Sequence, residues 1–527
     1  MPLSRRVAPL VLAAVAVASL PAAAGEPDLT PLFEQFSSDE PGERVAALRA
    51  LMRLKPPAEA ARPLIEKAVQ DPNLRVRTES IWAVQEVLGG KGTDLLEKLY
   101  KDPQRVVRDG AVHAACSMWD QARPRDLCRS AFDDPDFSVK LEVVTTLREN
   151  FPDDPEAAKI FRAALDDVSD LVRRAGVFGV QSARDRTAVP KLAELARTAP
   201  DMIAIPAAEA ALATIGTPEA IDALIALLPK PKVEEGKRQR PSDLVRAAAA
   251  RALARIKPKK AIPALRPLLA DPSVPVRLGA MEALLQLGDV GSVPAIARQL
   301  EDPEPRIRRY ALRALRRIGL PEDGPKAEQA RRDALARVRA ALHEDKDPIV
   351  RAAAASTLAD LLGAEAIPDL VKAGQDLDAS VRTEAAGALA GIGKPAAEAL
   401  AAFVDDPSPE VRALAINGLG QIGDASQIPR LAEAAKDKDR RNLLVRGEVA
   451  EALGDIGSPE GIPVLEELAS DPEPSVRQKV AASLGRIGGT KAMELLQRLT
   501  RDPVPRVRNA ARKALEKAGG GSARRGG

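Results

Sequence analysis

The stretch from Leu268 to Asp289 reads LLADPSVPVRLGAMEALLQLGD, and nearly the same words return at Leu300–Gly319 as LEDPEPRIRRYALRALRRIG. Each copy has Asp-Pro, then Val-Arg or Ile-Arg, then Ala and Leu at helical spacing, and finally Gly. Self-similarity at a fixed period is typical of repeat architectures. The stretch is therefore interpreted as a building block rather than as a site.

Copies of this block recur along most of the chain, at intervals that are mostly 31 residues. About fifteen units fit between Asp39 and Ala518. The copy around Ile203–Gly216 keeps the tail AAEAALATIG but lacks the arginine. The positions aligned with Arg277 are Arg44, Arg77, Arg108, Lys140, Arg173, Arg246, Arg308, Arg351, Arg382, Arg412, Arg446, Arg477 and Arg508.

Each unit contains the pattern of two helices. In one copy, Ser458–Asp471 places apolar residues at helical spacing, with Pro463 near the start, where its missing N–H costs nothing. After an Asp-Pro turn, Val476–Gly489 carries a second apolar stripe, and Gly488 is expected to end it as a left-handed C-cap. A single hairpin of this kind cannot bury its stripe, so neighbouring units must stack.

Composition agrees with stacked helices. Hydrophobic residues are 45% of the chain but aromatic residues only 2%, so Ala and Leu, which are strong helix formers, must make the core. Stacking would bury their stripes at about 25 cal/mol per Å² of apolar area. The predicted fold is all-α: an α-solenoid, a right-handed superhelix of about fifteen two-helix repeats.

The pattern D-P-x-x-x-V-R-x-x-A-x-x-A-L-x-x-I-G resembles HEAT repeats, and in particular the short bacterial form called the phycobilisome-lyase HEAT-like repeat. The resemblance covers about Asp39–Ala518. The words typical of tetratricopeptide and ankyrin repeats are absent. Fold does not imply function, so the site residues need their own argument.

The aspartate six residues before each arginine is interpreted as structural. An active site is needed once, whereas this pair recurs in most units. The resemblance implies a ladder between consecutive units. Asp can accept N–H groups at a helix start, and Arg offers five donors. The predicted ladder residues are Asp71, Arg77, Asp102, Arg108, Asp271, Arg277, Asp302, Arg308, Asp406, Arg412, Asp471, Arg477, Asp502 and Arg508.

Signals for catalysis are weak. The chain has two histidines, His113 and His343, in distant units, and no H-E-x-x-H, C-x-x-C or Gly-rich phosphate loop. HEAT-like hydroxylases carry repeated His-Glu pairs for iron, but here His343-Glu344 stands alone. We therefore expect no enzyme activity, no catalytic residues, no cofactor and no metal.

The chain ends differ from the repeats. Residues 1–24 combine Arg5 and Arg6, the apolar run Val7–Leu20 and small residues before Gly25, which predicts a secretory signal peptide; an uncleaved anchor is the alternative. The expected segments are repeats at 25–228, a basic inserted loop at 229–243, repeats at 244–518 and a disordered Gly-rich tail at 519–527. The predicted location is periplasmic, envelope-associated or extracellular.

Cys116 and Cys128 are the only cysteines, and they fall on consecutive predicted helices. An oxidising compartment would let them form a disulfide. Two unpaired, core-like thiols are the alternative.

The fifth position after the arginine varies freely, so it is no requirement of the repeat. In HEAT solenoids the second helix lines the concave face, and this column is expected to project there. Trp82 and Phe178 are candidate anchors, with gap filling between units as the alternative. The column is Arg49, Trp82, His113, Thr145, Phe178, Ala210, Arg251, Glu282, Arg313, Ser356, Gly387, Asn417, Glu451, Ala482 and Lys513.

Two basic interruptions break the period. One is the loop Pro229–Asp243, and the other is the lengthened unit between Gly319 and Val350. Between them Arg309, Arg313 and Arg316 share one helix face. This stripe is either a docking patch or solvated charge offset by nearby acids. The candidate partner-binding residues are Arg49, Trp82, His113, Phe178, Arg251, Arg309, Arg313 and Arg316.

The leading functional hypothesis is an exported, non-catalytic scaffold or adaptor that binds a macromolecular partner on the concave face. The expected partner is a protein, with an acidic protein or a polyanion as a narrower option. One alternative is a lyase-like or chaperone-like accessory protein, because the repeat resembles that of bilin lyases. Another is nucleic-acid binding through the Arg-rich middle repeats, although 78 basic against 75 acidic residues predict no general attraction to nucleic acid.

Overall fold

The computed structural model describes residues 27–198, 204–229, 242–322, 324–436 and 443–522. Within these ranges the chain forms helices joined by turns, with no β-strand. The predicted signal peptide lies outside the described residues. So do most of the predicted loop, at 230–241, and the tail from residue 523 onward.

The chain divides into two compact units, residues 1–188 and 189–527. Five helix pairs make up the described part of the first unit. Each pair is one repeat, and its two helices are called the first helix and the second helix in chain order. Its helices are α1 Thr30–Phe36, α2 Pro41–Leu54, α3 Ala58–Val69, α4 Leu74–Ala83, α5 Thr93–Tyr100, α6 Arg105–Ser117, α7 Ala122–Ala131, α8 Phe137–Asn150, α9 Pro155–Ala164 and α10 Asp170–Ser182.

Ten further pairs make up the described part of the second unit. Several of its first helices are short and continue as 3₁₀ turns, for example Arg266–Ala270. The first five pairs are α11 Val189–Thr198, α12 Ala204–Ile215, α13 Pro218–Ala226, α14 Ser242–Ile256, α15 Ile262–Leu265, α16 Val274–Leu287, α17 Val293–Arg298, α18 Pro305–Ile318, α19 Pro325–Glu344 and α20 Pro348–Leu362. The other five are α21 Ile367–Ala373, α22 Ala379–Ile392, α23 Ala397–Ala401, α24 Pro409–Ile422, α25 Ile428–Ala435, α26 Leu443–Ile456, α27 Ile462–Leu468, α28 Pro474–Ile487, α29 Thr490–Leu499 and α30 Pro505–Ser522.

These fifteen pairs in the described ranges confirm the predicted all-α solenoid of two-helix repeats. The lengthened unit adds its extra residues to its first helix, because α19 has 20 residues. The last helix includes Gly519–Ser522, the first four residues of the predicted tail.

The stretch Leu268–Asp289 shows how the second helix of one repeat begins and ends. The Asp271 carboxylate accepts the N–H of Ser273 at 2.9 Å, and Ser273 is the residue before α16. Gly288 ends α16 in the left-handed conformation, with φ 62° and ψ 37°. Gly488 also has a positive φ, 72°, but its ψ of −165° is not left-handed helical, so the predicted cap geometry is wrong there.

Small residues let successive second helices approach closely. Val276, Ala280 and Leu284 on α16 are fully buried. A Cβ added at Gly279 would lie 2.9 Å from the carbonyl oxygen of Ala247 on α14. Such close contact between helices leaves little room for rings, which explains the low aromatic content.

A buried guanidinium links one repeat to the next at several junctions, and Arg277 shows the geometry. Nη1 of Arg277 donates to the carbonyl oxygens of Asp271 at 2.8 Å and Pro272 at 3.1 Å, inside its own repeat. Nη2 of the same side chain donates to Oδ1 of Asp302 in the following repeat at 3.0 Å. That carboxylate oxygen also accepts the N–H of Glu304 at 2.9 Å. Each ladder residue therefore fixes its own turn and the position of the next one.

Ladder contacts occur within both units, and in ten pairs a basic side chain reaches the aspartate of the following repeat. Lys140 replaces arginine once and keeps the contact, at 2.8 Å to Asp167. The pairs are Arg44–Asp71, Arg77–Asp102 and Lys140–Asp167 in the first unit, and Arg246–Asp271, Arg277–Asp302, Arg308–Asp345, Arg351–Asp376, Arg382–Asp406, Arg446–Asp471 and Arg477–Asp502 in the second.

The remaining predicted ladder arginines bind their own turns. Arg108, Arg412 and Arg508 each donate to the carbonyl oxygens of the Asp-Pro pair that precedes them. Nη2 of Arg108 lies 3.8 Å from Oδ2 of Asp136, not beside Asp134, which occupies the ladder position. The Asp134 carboxylate instead accepts a hydrogen bond from the hydroxyl of Tyr100.

We expect Arg277→Ala to lower the free energy of unfolding by about 3–5 kcal/mol, because it leaves the Asp302 carboxylate buried without its cation. Chemical denaturation followed by circular dichroism measures the change. Arg298→Ala, on the exposed face of α17, is the matched control and should change stability by less than about 0.5 kcal/mol. Equal effects of the two substitutions would contradict a structural role for the ladder.

Cys116 on α6 and Cys128 on α7 form a disulfide in the structure. Their Cα atoms are 5.2 Å apart, and both side chains are fully buried. The bond joins the second helix of one repeat to the first helix of the next, so it supplements the ladder at this junction.

We expect mass spectrometry after alkylation without reduction to find no modified cysteine, and reduction to expose two. The double variant Cys116→Ser/Cys128→Ser should be less stable by about 2–4 kcal/mol, because its unfolded chain is less constrained. Wild-type protein treated with reductant should show a comparable loss. Alkylation of both residues in the unreduced, unfolded protein would show that they are free thiols.

Candidate functional surface

In the first unit, Trp82 on α4 and His113 on α6 come together on successive second helices. Their ring centroids are 6.0 Å apart with an edge-to-face angle of 67°, and 44% of Trp82 is exposed. Nδ1 of His113 lies 2.8 Å from Glu142 and 3.1 Å from Oγ1 of Thr146. The hydrogen bond to Glu142 raises the pKa of His113. An aromatic edge beside a hydrogen-bonded His113–Glu142 pair is thus available to a partner.

Arg49 and Phe178 are engaged by neighbours in the same unit. Nε and Nη2 of Arg49 donate to both carboxylate oxygens of Glu79, at 2.8 and 3.1 Å. The Phe178 ring lies between two guanidinium groups, with Arg148 at 6.0 Å and Arg174 at 5.9 Å from its centroid. Both side chains therefore contribute to contacts between second helices as well as to the surface.

In the second unit, three successive second helices, α14, α16 and α18, enclose an open cleft of about 460 Å³. We call it the basic cleft. It collects the predicted Arg251, Arg309 and Arg313. Its lining residues are Arg251, Leu278, Gly279, Glu282, Arg306, Arg309, Tyr310 and Arg313.

A second cleft, of about 500 Å³, lies next along the same face, between α18, α20 and α22. We call it the mixed cleft, because both charge signs line it. Arg316 pairs there with Asp360, and Glu384 on α22 also lines the cleft. Two column residues, Ser356 and Gly387, also line it. The predicted stripe of Arg309, Arg313 and Arg316 is thus divided between two clefts.

Acidic side chains pair with several arginines of the lengthened unit between Gly319 and Val350, which is one of the two basic interruptions. On the long helix α19, Arg332 pairs with Glu328, and Arg337 pairs with Glu301. Nε of Arg339 lies 2.8 Å from Asp369. The second basic interruption is the predicted loop Pro229–Asp243, and most of it, residues 230–241, lies outside the described residues.

Glu209 is a notable residue that the sequence interpretation missed. Its side chain on α12 is only 1% exposed, and neither carboxylate oxygen has a hydrogen-bond partner among the described residues. Burial raises its pKa to about 9, although Arg251 and Arg255 oppose the rise. The signal was present in the alignment, because the same slot is apolar in the other internal repeats. Its occupants are Leu48, Ile81, Val112, Val144, Val177, Ala250, Met281, Leu312, Ala355, Ala386, Ile416, Ala450 and Ala481.

Glu209 should make stability fall as pH rises. Below its usual pKa of 4.5 the side chain is protonated in both states; between 4.5 and about 9 only the unfolded chain ionises. We expect Glu209→Met to stabilise the protein at pH 8 by about 1–4 kcal/mol and to have less effect near pH 4.5. Denaturation at several pH values measures this. The stability of the exposed control Glu398→Met should differ from wild type by the same amount at every pH. If the stability of Glu209→Met depends on pH as that of wild type does, the assignment is contradicted.

The described residues offer little for metal chemistry or membrane spanning. No group of three or more His, Cys, Asp or Glu side chains in these ranges is arranged to hold a metal ion. Nε2 of His343 lies 3.5 Å from Asp369, far along the chain from His113. None of the described helices is both long and apolar enough to cross a bilayer.

Comparison with protein families identifies the repeat. The model of HEAT repeats matches residues 29–116, 92–180, 231–316, 276–343, 293–390, 335–406, 372–444, 397–478 and 440–516. The model of the phycobilisome-lyase HEAT-like repeat matches residues 208–228. The chain therefore belongs to the HEAT-repeat family. No curated protein sequence matches it.

Solved structures with similar folds include karyopherins. The karyopherin Kap121p bound to the extreme C-terminus of the protein phosphatase Cdc14p has a TM-score of 0.52 and 12% identity, covering 93% of this chain and 65% of that chain. Kap121p bound to Pho4p has a TM-score of 0.43 and 15% identity, covering 87% and 56%. The chain thus spans less than two thirds of these Kap121p chains. At 12% identity, the first comparison supports the fold alone.

Human deoxyhypusine hydroxylase is 25% identical, with coverage of 57% of this chain and 96% of that chain. Its TM-score is 0.22. A structural similarity this low supports no inference about activity.

Proposed function

We propose that the protein is an exported, non-catalytic scaffold or adaptor that binds another protein along its second helices, on the concave face of the solenoid. One observation carries the proposal: the side chains that recur from repeat to repeat and those that vary lie in different places in the structure. The repeated arginines are buried in the ladder, whereas the freely varying column lines open clefts on α14, α16, α18, α20 and α22.

The chemistry of these clefts suits recognition better than catalysis. Both are open, and their polar groups are mainly guanidinium and carboxylate groups. Arginine and aromatic side chains dominate protein interfaces, and both types occur among the unrepeated residues of the two units. Kap121p, whose fold is similar, has been solved with bound segments of other proteins, which agrees with a binding role for such a solenoid.

Export rests on the N-terminal pattern from Arg5 to Leu20, and the Cys116–Cys128 disulfide agrees with an oxidising compartment. The lyase-like alternative has narrower support, since the corresponding repeat model matches only residues 208–228.

Site-specific photo-crosslinking tests the proposal. A photoreactive residue at Ser356, in the mixed cleft, should crosslink a reproducible protein in the cell-envelope fraction. The same residue at Glu398, exposed on the first helix α23, is the matched control and should not. Equal crosslinking from both positions, or no reproducible product from Ser356, would contradict binding by the second helices. Retention of the chain in the cytoplasmic fraction would contradict export.

A further inference from the structure

The basic cleft has an unusual excess of unpaired positive charge. Arg251, Arg306, Arg309 and Arg313 make no side-chain hydrogen bond or ion pair with a carboxylate in the described part of the chain. The ladder arginines and Arg316 behave differently, since aspartates bind them. Four guanidinium groups around one cleft repel one another unless an anion lies between them. The cleft is therefore electrostatically complementary to a negatively charged ligand.

Few acids offset this charge. Among the described residues that line the cleft, Glu282 is the one carboxylate, and no described cation lies within hydrogen-bond distance of it. The acid near Arg251 is Glu209, and burial raises its pKa to about 9. Glu209 is therefore protonated at neutral pH and leaves the charge of Arg251 uncompensated.

One arginine is already oriented for binding. The guanidinium of Arg313 stacks over the ring of Tyr310, 5.7 Å from its centroid. A stacked guanidinium loses less conformational freedom on binding than a free one. Its planar donors remain suited to a bidentate hydrogen-bonded pair with a carboxylate.

The pattern of charge along the face favours an acidic peptide over a long polyanion. The basic cleft is bounded by the mixed cleft, where Asp360 already neutralises Arg316 and Glu384 adds negative charge. A continuous phosphate backbone running past Arg313 would meet Glu384 and be repelled. An extended peptide can place carboxylates over one cleft and neutral or basic residues over the next.

We propose that the basic cleft binds an acidic segment of the partner protein, whose carboxylates pair with Arg309 and Arg313 and with Arg251 across the cleft. This inference rests on the proposed scaffold function and specifies the kind of partner. The three arginines come from two repeats, with Arg251 on α14 and both Arg309 and Arg313 on α18. Because α16 lies between these helices, the segment crosses the second helices rather than lying along one of them.

Fluorescence anisotropy of the full-length protein with a fluorescein-labelled Glu/Gly peptide tests the proposal. The double variant Arg309→Gln/Arg313→Gln should weaken binding by about tenfold or more, since hydrogen bonds to charged groups are lost. Arg317→Gln lies on the same helix, is exposed and does not line the cleft, and should change affinity less than about twofold. Binding should weaken as salt rises.

Three outcomes would overturn the inference. They are failure of the Glu/Gly peptide to bind, equal weakening by Arg317→Gln, and a single-stranded oligonucleotide that binds more tightly with the same dependence on Arg309 and Arg313. Unchanged thermal unfolding of the double variant shows that it is folded. A Lys/Gly peptide of equal length controls for charge and should not bind.

The photo-crosslinking at Ser356 separates this inference from the broader one. If the crosslinked protein is still captured by Arg309→Gln/Arg313→Gln with unchanged yield, the scaffold function stands and the acidic-segment assignment fails. If no protein is captured at all while the Glu/Gly peptide binds the basic cleft, the scaffold function fails and the anion-binding chemistry remains.

Discussion

The buried arginine that joins one repeat to the next is the interaction on which the rest of the structure depends. A two-helix unit cannot bury its Ala and Leu stripe alone, and non-directional apolar contact would not fix how far one unit slides over the next. The guanidinium of Arg277 supplies direction, since it binds two carbonyl oxygens in its own turn and a carboxylate in the following one. Because the aspartate also holds its own turn, an error in one junction would disturb the next. The second helices are thereby kept in register, and the clefts between them are a product of that register.

Arginine has two separate uses in this protein, and the partner of each side chain decides which use applies. The ladder arginines point into the turns between repeats, where backbone carbonyls and aspartates bind them, so they are not presented to a ligand. Arg309 and Arg313 on α18 are exposed, lie one and five positions after the ladder residue Arg308, and have no carboxylate partner in the described part of the chain. Their neighbour Arg316 is neutralised by Asp360. Near-zero net charge for the whole chain thus coexists with a strongly basic cleft, because most charges are offset within a few ångströms and a few are not.

Glu209 extends the same principle to the core. A carboxyl group placed in a slot that is apolar elsewhere cannot keep its charge, so it becomes a neutral acid beside Arg251. It belongs to the repeat that lacks the ladder arginine, so this repeat departs from the others at both the ladder position and the buried slot. The result is a local loss of negative charge next to the basic cleft, at a cost in stability.

The sequence by itself determined the repeat, its helix pairs and most of the ladder contacts, because these features recur and each copy checks the others. It did not show that Arg108, Arg412 and Arg508 bind their own turns instead. It also singled out the column that lines the clefts, since that position varies while its neighbours do not. It did not determine which surface arginines are free: Arg309 and Arg316 belong to one predicted stripe, but Asp360 from a later repeat pairs with Arg316, whereas Arg309 has no carboxylate partner in the described part of the chain. Nor did it locate Glu209 as a neutral acid, since that depends on exclusion of water by packed helices. The tertiary structure decided these points, because charge pairing and burial are set by distances across repeats rather than by spacing along the chain.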